Sequence, residues 1–182
     1  MQITKHCFSS NAELVKPIED LTLQVTLPVN HDNPSRQTQL RLSTWKGRVI
    51  ILFIFGPDCG TCKHLARTLS SLSREYSRDI ECIGICVQTG CREKLPDFAV
   101  TADAIFPLTY CSTRELCPAL GIPKGTWLFY PTVIFIDQQQ RLRSIFVGNH
   151  EFFKDPEANI RLALGELIPE TQQSGREVEV SA

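Results

Sequence analysis

The apolar residues of this chain concentrate in two runs that enclose a segment with helical spacing. The runs are residues 49–55 (VIILFIF) and residues 80–87 (IECIGICV), and both have the β-branched, nearly continuous apolar character of strands covered on both faces. Between them, Leu65, Leu69 and Leu72 recur on one face of a helix. This strand-helix-strand order predicts an α/β fold with a mixed sheet flanked by helices.

Shorter elements flank this unit on the N-terminal side and after the second run. Residues 21–27 (LTLQVTL) alternate between apolar and polar positions, which predicts a half-buried strand before the first apolar run. Segment 91–104 predicts a second helix, and we expect Pro96 to disturb it because proline lacks the N–H that a helix interior uses. A short helix is predicted before Gly121.

The C-terminal part reads as a hairpin followed by a closing helix. Residues 132–137 and 142–148 are apolar segments on either side of a polar turn, so they predict two paired strands. Asp155 followed by Pro156 is typical of an N-cap and first helical turn.

The length of 182 residues, with 42% hydrophobic positions, suits one well-buried domain. We assign this domain to residues 40–168. Residues 1–39 form an N-terminal extension that includes the predicted strand, and residues 169–182 are expected to be a disordered tail.

Charge and hydropathy exclude several classes of partner. The formal net charge is −1, with no dense basic stripe, so nucleic acid is not an expected partner. The longest apolar run is too short to span a bilayer, and the first residues lack the apolar core of a signal peptide. We therefore expect a cytoplasmic protein without a membrane span.

A Cys-X-X-Cys motif follows the first apolar run at the predicted start of the helix. Cys59 and Cys62 have three interpretations: a redox pair, half of a metal site, or inert thiols. Zinc requires two further ligands, and the sequence has no second CxxC and no HxxxH, so no metal is predicted. A thiolate is the attacking species, and helix N-termini stabilise it. This favours a redox pair with Cys59 as nucleophile and Cys62 as resolving cysteine.

The chain contains eight cysteines, and in a reducing cytosol an even count does not indicate four disulfides. Cys82 and Cys86 share one face of a buried strand and are expected to be core residues. Cys91, at the start of the second helix, is open to a role as an accessory thiol. Cys111 and Cys117 either form a second disulfide or remain idle thiols, and the cytosolic setting favours thiols.

The combination of motifs resembles the thioredoxin fold over residues 40–168. The resemblance rests on a buried strand, the CGTC sequence at a helix start, and the Tyr130-Pro131-Thr132 sequence before a strand, in the family order. The N-terminal strands and the hairpin are closer to the redoxin branch, which includes the alkyl hydroperoxide reductase/thiol-specific antioxidant family and the TlpA-like thiol-disulfide oxidoreductases.

This resemblance implies the rest of the site and its partners. Pro131 is expected to follow a cis peptide bond and to face the cysteine pair. Substrate is then expected to bind at Tyr130, Pro131 and Thr132 and at Gly60 and Thr61 between the cysteines. The implied partners are protein disulfides or thiols and an upstream thiol reductant, with no cofactor. The implied activity is that of a thiol-disulfide oxidoreductase, in the direction of a protein disulfide reductase.

The chain departs from the families it resembles at positions that bear on the alternative functions. Phe53 stands where thioredoxins have a buried acidic proton acceptor, and Asp58 replaces an aromatic residue. A peroxiredoxin-like thiol peroxidase is the first alternative, although Gly56 and Pro131 stand where such enzymes carry Thr and Arg. A copper-binding chaperone of the same fold is the second alternative. Such chaperones bind the metal through two cysteines and one histidine, but this chain has no histidine between His64 and His150.

Overall fold

A computed structural model describes residues 16–26, 37–123 and 126–169. Within them lie eight strands and four α-helices, joined in places by single turns of 3-10 helix. The strands are β1 (Lys16–Pro17), β2 (Thr22–Thr26), β3 (Gln37–Arg41), β4 (Val49–Phe55), β5 (Ile80–Cys86), β6 (Leu108–Tyr110), β7 (Thr132–Ile136) and β8 (Arg141–Val147). The α-helices are α1 (Gly60–Glu75), α2 (Leu95–Thr101), α3 (Thr113–Ala119) and α4 (Pro156–Leu167).

All eight strands belong to one mixed sheet in the order β1-β8-β7-β4-β5-β6-β2-β3. The pairs β4–β5 and β5–β6 are parallel, and the remaining pairs are antiparallel. Every residue of β4 is buried, as expected for a strand with neighbours on both edges and helices on both faces. The mixed sheet flanked by helices, with an N-terminal strand extension, is thereby confirmed.

Alternate residues of β4 divide the core into two clusters, one on each face of the sheet. The α1-face cluster contains Val49, Ile51, Phe53 and Phe55 together with buried side chains of α1, α2 and α4. The α3-face cluster contains the intervening Ile50, Leu52 and Ile54 with side chains of α3. Each fully buried side chain of this size contributes about 1.5–3 kcal/mol to folding. The two clusters fix the sheet between its helices.

The predicted elements occur in the predicted order, with one correction and one addition. The correction concerns Pro96, which does not disturb a helix. Residues 91–94 form a 3-10 turn, and Pro96 lies in the first turn of α2, where a missing N–H has no cost. The addition is strand β3, which pairs along its whole length with β2 at the sheet edge.

The N-terminal segment reaches both edges of the sheet. Strand β1 pairs with β8 at one edge, whereas β2 pairs with β6 and β3 at the other. The assignment of residues 1–39 as an extension and of residue 40 as a boundary stays a prediction. The expected disordered tail, apart from residue 169, lies outside the described residues.

Candidate active site

The CGTC motif lies where the central strand ends and the longest helix begins. Cys59 is the N-cap of α1, with an extended backbone conformation. Cys59 and Cys62 form a disulfide with their Cα atoms 5.2 Å apart. Cys59 is half-buried, whereas Cys62 is fully buried in the α1-face cluster. The sulfur at the helix terminus is therefore the more accessible of the two.

Two donors from the first turn of α1 point at the sulfur of Cys59. The backbone N–H of Cys62 donates to Cys59 Sγ over 3.2 Å, and the hydroxyl of Thr61 lies 3.2 Å from the same sulfur. A sulfur in a disulfide has no hydrogen, so in this state both groups act as donors to it. The same donors, with the positive end of the helix dipole, stabilise a negative charge on Cys59 after reduction.

A salt bridge that the sequence did not reveal connects the loop before Cys59 to the segment after β5. Lys94 Nζ lies 2.6 Å from Asp58 Oδ2, and both side chains are largely exposed. The hydrogen bond from Lys94 to Asp58 is the main reason that the pKa of the Lys94 ammonium is raised. Because 36 positions separate the partners, no local pattern indicates this contact. Lys94 offsets the charge of the carboxylate that precedes Cys59 in the chain.

The core cluster that contains Cys62 is rich in aromatic side chains. Phe53 is fully buried in the same cluster as Cys62, and its ring stacks on Phe55 at 5.4 Å and meets Phe106 edge-on at 6.4 Å. Thioredoxins have a buried acidic residue at this position, whereas here the packed ring of Phe53 occupies it. Cys62 consequently faces an apolar core at this position.

A cavity of about 350 Å³ opens beside the start of α1. The peptide bond between Tyr130 and Pro131 is cis, which confirms the expectation for this bond. Pro131 lines the cavity together with Gly60 and Thr61, so three of the predicted substrate-binding residues meet there. The other lining residues are His64, Leu65, Phe153, Lys154 and Pro156.

Sequence reasoning did not identify the contribution of residues 153–156 to this cavity. They belong to the 3-10 turn and the start of α4, which follow the hairpin in the chain. Asp155 caps α4 as predicted, since its side chain accepts a hydrogen bond from Ala158 N–H over 3.2 Å. The capping pattern located the helix start, but only the packing of α4 brings Phe153 and Pro156 beside α1.

Tyr130 and Thr132 lie on either side of Pro131 and have different surroundings. The Tyr130 ring covers Gly56: a Cβ at position 56 would lie 2.8 Å from two ring carbons. Thr132 is buried, and its hydroxyl donates to the carbonyl of Phe129 over 2.6 Å. Its side chain therefore stabilises the 129–132 turn.

The loop before Tyr130 carries two exposed aromatic residues. Trp127 is 78% exposed and Phe129 is 62% exposed, and their rings stack at 6.3 Å. Phe129 also lies against Gly148, where the backbone has a φ of +58° and a Cβ would approach to 3.3 Å. Both side chains are outside the core and next to the turn that bears Pro131.

The other described cysteines are buried free thiols: Cys82, Cys86, Cys91, Cys111 and Cys117. The expectation that Cys82 and Cys86 are core residues is confirmed. Burial raises the pKa of each of these two thiols to about 12. Cys111 and Cys117 form no disulfide with each other in this structure, so the thiol alternative applies to this pair.

Two other features of the described residues bear on partners. None of the helices in the described ranges is long and apolar enough to cross a bilayer. Within the same ranges, no three metal-ligating side chains come together as a metal site would require.

The sheet, the cysteine pair at the N-terminus of α1 and the cis proline in the cavity beside this helix start define a thioredoxin-like oxidoreductase of the redoxin type. Residues 16–145 match the model of the AhpC/TSA family, and the chain therefore belongs to that family. A comparison with curated protein sequences gave no significant match.

Solved structures share the fold at low sequence identity. A secreted thiol-disulfide isomerase from Corynebacterium glutamicum is similar with a TM-score of 0.63 and 20% identity, covering 84% of this chain and 89% of the other. A DsbF homologue from Corynebacterium diphtheriae has a TM-score of 0.62 and 18% identity, over 84% and 89%. A thioredoxin-family thiol:disulfide interchange protein from Chlorobium tepidum has a TM-score of 0.60 and 17% identity, over 82% and 99%. These similarities show the thioredoxin-like fold.

Proposed function

We propose that the protein is a thiol-disulfide oxidoreductase that reduces protein disulfides through Cys59 and Cys62. The observation that carries this function is the placement of a disulfide-forming pair at the N-terminus of α1, beside a cavity lined by Gly60, Thr61 and Pro131. An accessible sulfur with two donors is paired with a buried sulfur one helical turn later. Such a pair suits attack followed by resolution.

The reaction proceeds in two exchange steps. In the first, the Cys59 thiolate attacks one sulfur of a substrate disulfide, and a mixed disulfide forms while the other substrate sulfur leaves as a thiolate. In the second, Cys62 attacks the sulfur of Cys59 and releases the remaining substrate thiolate. Two electrons pass to the substrate, and the Cys59–Cys62 disulfide forms. An upstream dithiol returns it to the reduced state.

The packed ring of Phe53 affects the second step. Cys62 must lose its proton before it attacks. Position 53, where thioredoxins have an acidic proton acceptor, carries the aromatic ring of Phe53. Burial in apolar surroundings disfavours a thiolate. The departing substrate thiolate, which is formed next to Cys59, is then the nearest base for the Cys62 proton. Resolution is expected to be slower than in a site with a buried carboxylate.

The Asp58 carboxylate, which precedes Cys59 in the chain, supports the reductase direction. Stabilising the Cys59 thiolate stabilises the reduced pair relative to the disulfide, so the disulfide becomes a stronger oxidant. Here the helix terminus and Thr61 stabilise the thiolate, but Asp58 places a carboxylate next to it, and Lys94 offsets that charge only at the exposed surface. A site flanked by a carboxylate is less oxidising than one flanked by a cation.

Substrate binding follows the cavity and the turn beside it. Gly60, Thr61 and Pro131 form its surface next to Cys59. Tyr130 takes part through its partly exposed ring, and Thr132 acts by holding the turn through its hydrogen bond to Phe129. A protein substrate in an extended conformation suits this arrangement, with an upstream thiol reductant using the same face.

A thiol peroxidase is the second candidate because the AhpC/TSA family includes peroxidases. Position 56 argues against it. Peroxiredoxins resembling this chain carry Thr there, whereas the Tyr130 ring occupies the space that any side chain at position 56 would need. Peroxide consumption by the reduced protein, with and without thioredoxin as reductant, separates the two activities.

The compartment is proposed to be the cytoplasm. The support is the presence of five buried free thiols in the described part of the chain, because reducing compartments keep thiols in that state. The similar structure from Corynebacterium glutamicum is described as secreted. Cell fractionation with antibody detection decides between the two locations, and recovery outside the cytoplasm would contradict this assignment.

The decisive test of the function is a trapping experiment. Cys62→Ser should accumulate mixed disulfides with partner proteins through Cys59, since the resolving sulfur is gone, and Cys59→Ser should trap almost none. Insulin reduction driven by dithiothreitol should fall to background in Cys59→Ser. Cys117→Ser serves as the matched control because Cys117 is a buried thiol on the other face of the sheet. Full insulin reduction by Cys59→Ser would contradict the function.

A further inference from the structure

Three of the six large apolar side chains that are exposed in the described part of the chain lie within residues 127–130. They are Trp127, Phe129 and Tyr130, and the rings of the first two stack on each other at 6.3 Å. Single exposed apolar side chains are common on protein surfaces, whereas contiguous groups of them mark binding sites. We call Trp127 and Phe129 the aromatic pair.

The aromatic pair is held in place by its neighbours. Leu128, which lies between the two aromatic residues, is buried in the α3-face cluster. The carbonyl of Phe129 accepts the hydrogen bond from the Thr132 hydroxyl over 2.6 Å, and the Cβ of Phe129 lies against Gly148 after β8. A surface that is already ordered loses little conformational entropy when it binds a partner. The loop therefore presents the two rings as a pre-organised surface.

The aromatic pair is continuous with the loop that carries the nucleophile. Tyr130 follows Phe129 directly, and its ring covers Gly56. The carbonyl of Gly56 accepts a hydrogen bond from the N–H of Cys59 over 3.2 Å. The next residue, Pro131, lines the cavity at the start of α1. A polypeptide that is bound at Cys59 and along Pro131 can therefore continue over the aromatic pair.

The composition of this segment favours an apolar partner. Residues 126–136 contain no Asp, Glu, Lys, Arg or His, so the segment offers ring faces and no charge to a ligand. Exposed tryptophan is among the residues that contribute most to binding energy at interfaces. Apolar side chains are mostly buried in folded proteins but exposed in unfolded ones. The chemistry of the surface therefore fits a polypeptide that has not reached its native fold.

We propose that Trp127 and Phe129 bind apolar side chains that flank the disulfide of a non-native polypeptide. This contact selects unfolded or misfolded chains as substrates over folded proteins and small disulfides. The inference rests on the proposed function, because Cys59 attacks the disulfide that the aromatic pair positions. The pair contributes binding and takes part in no bond exchange, so its loss should raise KM and leave kcat unchanged.

The first experiment compares two peptides that contain the same intramolecular disulfide. Leucine and phenylalanine flank the disulfide in the apolar peptide, and serine and asparagine flank it in the polar peptide. The wild type should reduce the apolar peptide with a kcat/KM about tenfold higher than the polar one. Trp127→Ala and Phe129→Ala should lose about tenfold on the apolar peptide through a higher KM. Both variants should stay within about twofold of the wild type on the polar peptide and on bis(2-hydroxyethyl) disulfide.

Two further variants serve as controls. Val100 on α2 is 78% exposed, like Trp127, so Val100→Ala tests the loss of an exposed apolar side chain elsewhere and should change none of the rates. Trp127→Phe keeps an aromatic ring and should retain most of the preference for the apolar peptide. Equal kcat/KM for the two peptides in the wild type, or equal losses on every substrate in the alanine variants, would overturn the inference while the proposed function stands. If the wild type reduces none of the substrates, the proposed function itself fails.

Tryptophan fluorescence tests the contact without a redox step. The chain has two tryptophans, and Trp45 precedes β4, at the opposite end of that strand from the CGTC motif. In Trp45→Phe, the emission of Trp127 should shift to shorter wavelength when the apolar peptide is added with serine in place of both cysteines, because the ring leaves water. The matching polar peptide should cause no shift. The absence of a shift with the apolar peptide would contradict the proposal. A shift that follows protein concentration alone, with a dimer in size-exclusion chromatography, would assign the surface to a second copy of the chain and would also overturn it.

Discussion

Two α-helices in the described part of the chain begin next to a cysteine, and the two cysteines have opposite environments. At α1, Cys59 is the N-cap itself, and its sulfur receives the N–H of Cys62 and the hydroxyl of Thr61. At α3, Cys111 stands one residue before the N-cap Ser112, and its thiol lies 4.0 Å from the carboxylate of Glu115. A shift of one position relative to the helix start separates the two cases.

The difference shows that proximity to a helix N-terminus is not enough to activate a thiol. At α3 the N-cap position is held by Ser112, which forms a capping box with Glu115: the Glu115 carboxylate accepts hydrogen bonds from the N–H of Ser112 over 3.3 Å and from its hydroxyl over 2.7 Å. Burial first, and the nearby Glu115 charge second, raise the pKa of Cys111 to about 11. At α1 the N-cap position is held by Cys59, whose sulfur accepts the hydrogen bond from the N–H of Cys62. The N-cap position, rather than the helix, therefore decides which cysteine can be the nucleophile.

The largest expected effect is the loss of insulin reduction when the N-cap cysteine of α1 is replaced. Cys59→Ser should lower insulin reduction by more than about 100-fold, whereas Cys111→Ser should stay within about twofold of the wild type, because in the proposed reaction Cys59 alone forms the mixed disulfide. Initial rates with dithiothreitol as reductant measure both. Circular dichroism of each variant checks that the fold is retained. Comparable losses in the two variants would show that the helix positions do not distinguish the thiols.

The contribution of the Thr61 hydroxyl is the next largest effect. Thr61→Val removes the donor 3.2 Å from Cys59 Sγ while keeping the shape of the side chain. A hydrogen bond to a charged group contributes about 1.5 kcal/mol, so the potential of the Cys59/Cys62 pair should fall by about 30 mV. Equilibration with glutathione buffers followed by alkylation measures the shift. Thr61→Ser keeps the hydroxyl and should leave the potential nearly unchanged; an equal shift in both variants would assign the effect to packing.

A smaller effect is expected at the cap of α3. Ser112→Ala removes the hydroxyl that donates to Glu115 over 2.7 Å, and the loss should lower the free energy of unfolding by about 1 kcal/mol. Urea unfolding followed by circular dichroism measures this. Insulin reduction by the folded variant should not change, because α3 packs on the opposite face of the sheet from Cys62. A loss of activity without a loss of stability would link α3 to the site.

The smallest effect tests the charge near Cys111. Glu115→Gln keeps an acceptor at the same position but removes the charge, so the pKa of Cys111 should fall slightly and its alkylation should become about twofold faster. Because the thiolate is the reactive form, labelling of Cys111 in both proteins should rise with pH toward its raised pKa. Iodoacetamide labelling with mass mapping at several pH values follows the rate. A slower rate in Glu115→Gln would contradict the role given to the carboxylate.

The sequence by itself determined the central elements and the identity of the cysteine pair. Short continuous apolar runs that are rich in β-branched residues indicate strands buried on both faces, and helical spacing after CGTC places the motif at a helix start. These features depend on local patterns, which is why β4, α1, β5, the β7–β8 hairpin and α4 were predicted from the order of residues. The same local logic failed at Pro96, because a proline that would interrupt a helix can equally begin one.

Only the tertiary structure decided which distant groups surround the pair. The Asp58–Lys94 salt bridge and the Tyr130 ring over Gly56 join residues through strand order and loop packing. Such contacts depend on how β4, β5 and β7 lie side by side, and no periodicity in the sequence carries that information. The sequence shows which atoms can react, and the packing of the sheet decides which groups each of them meets.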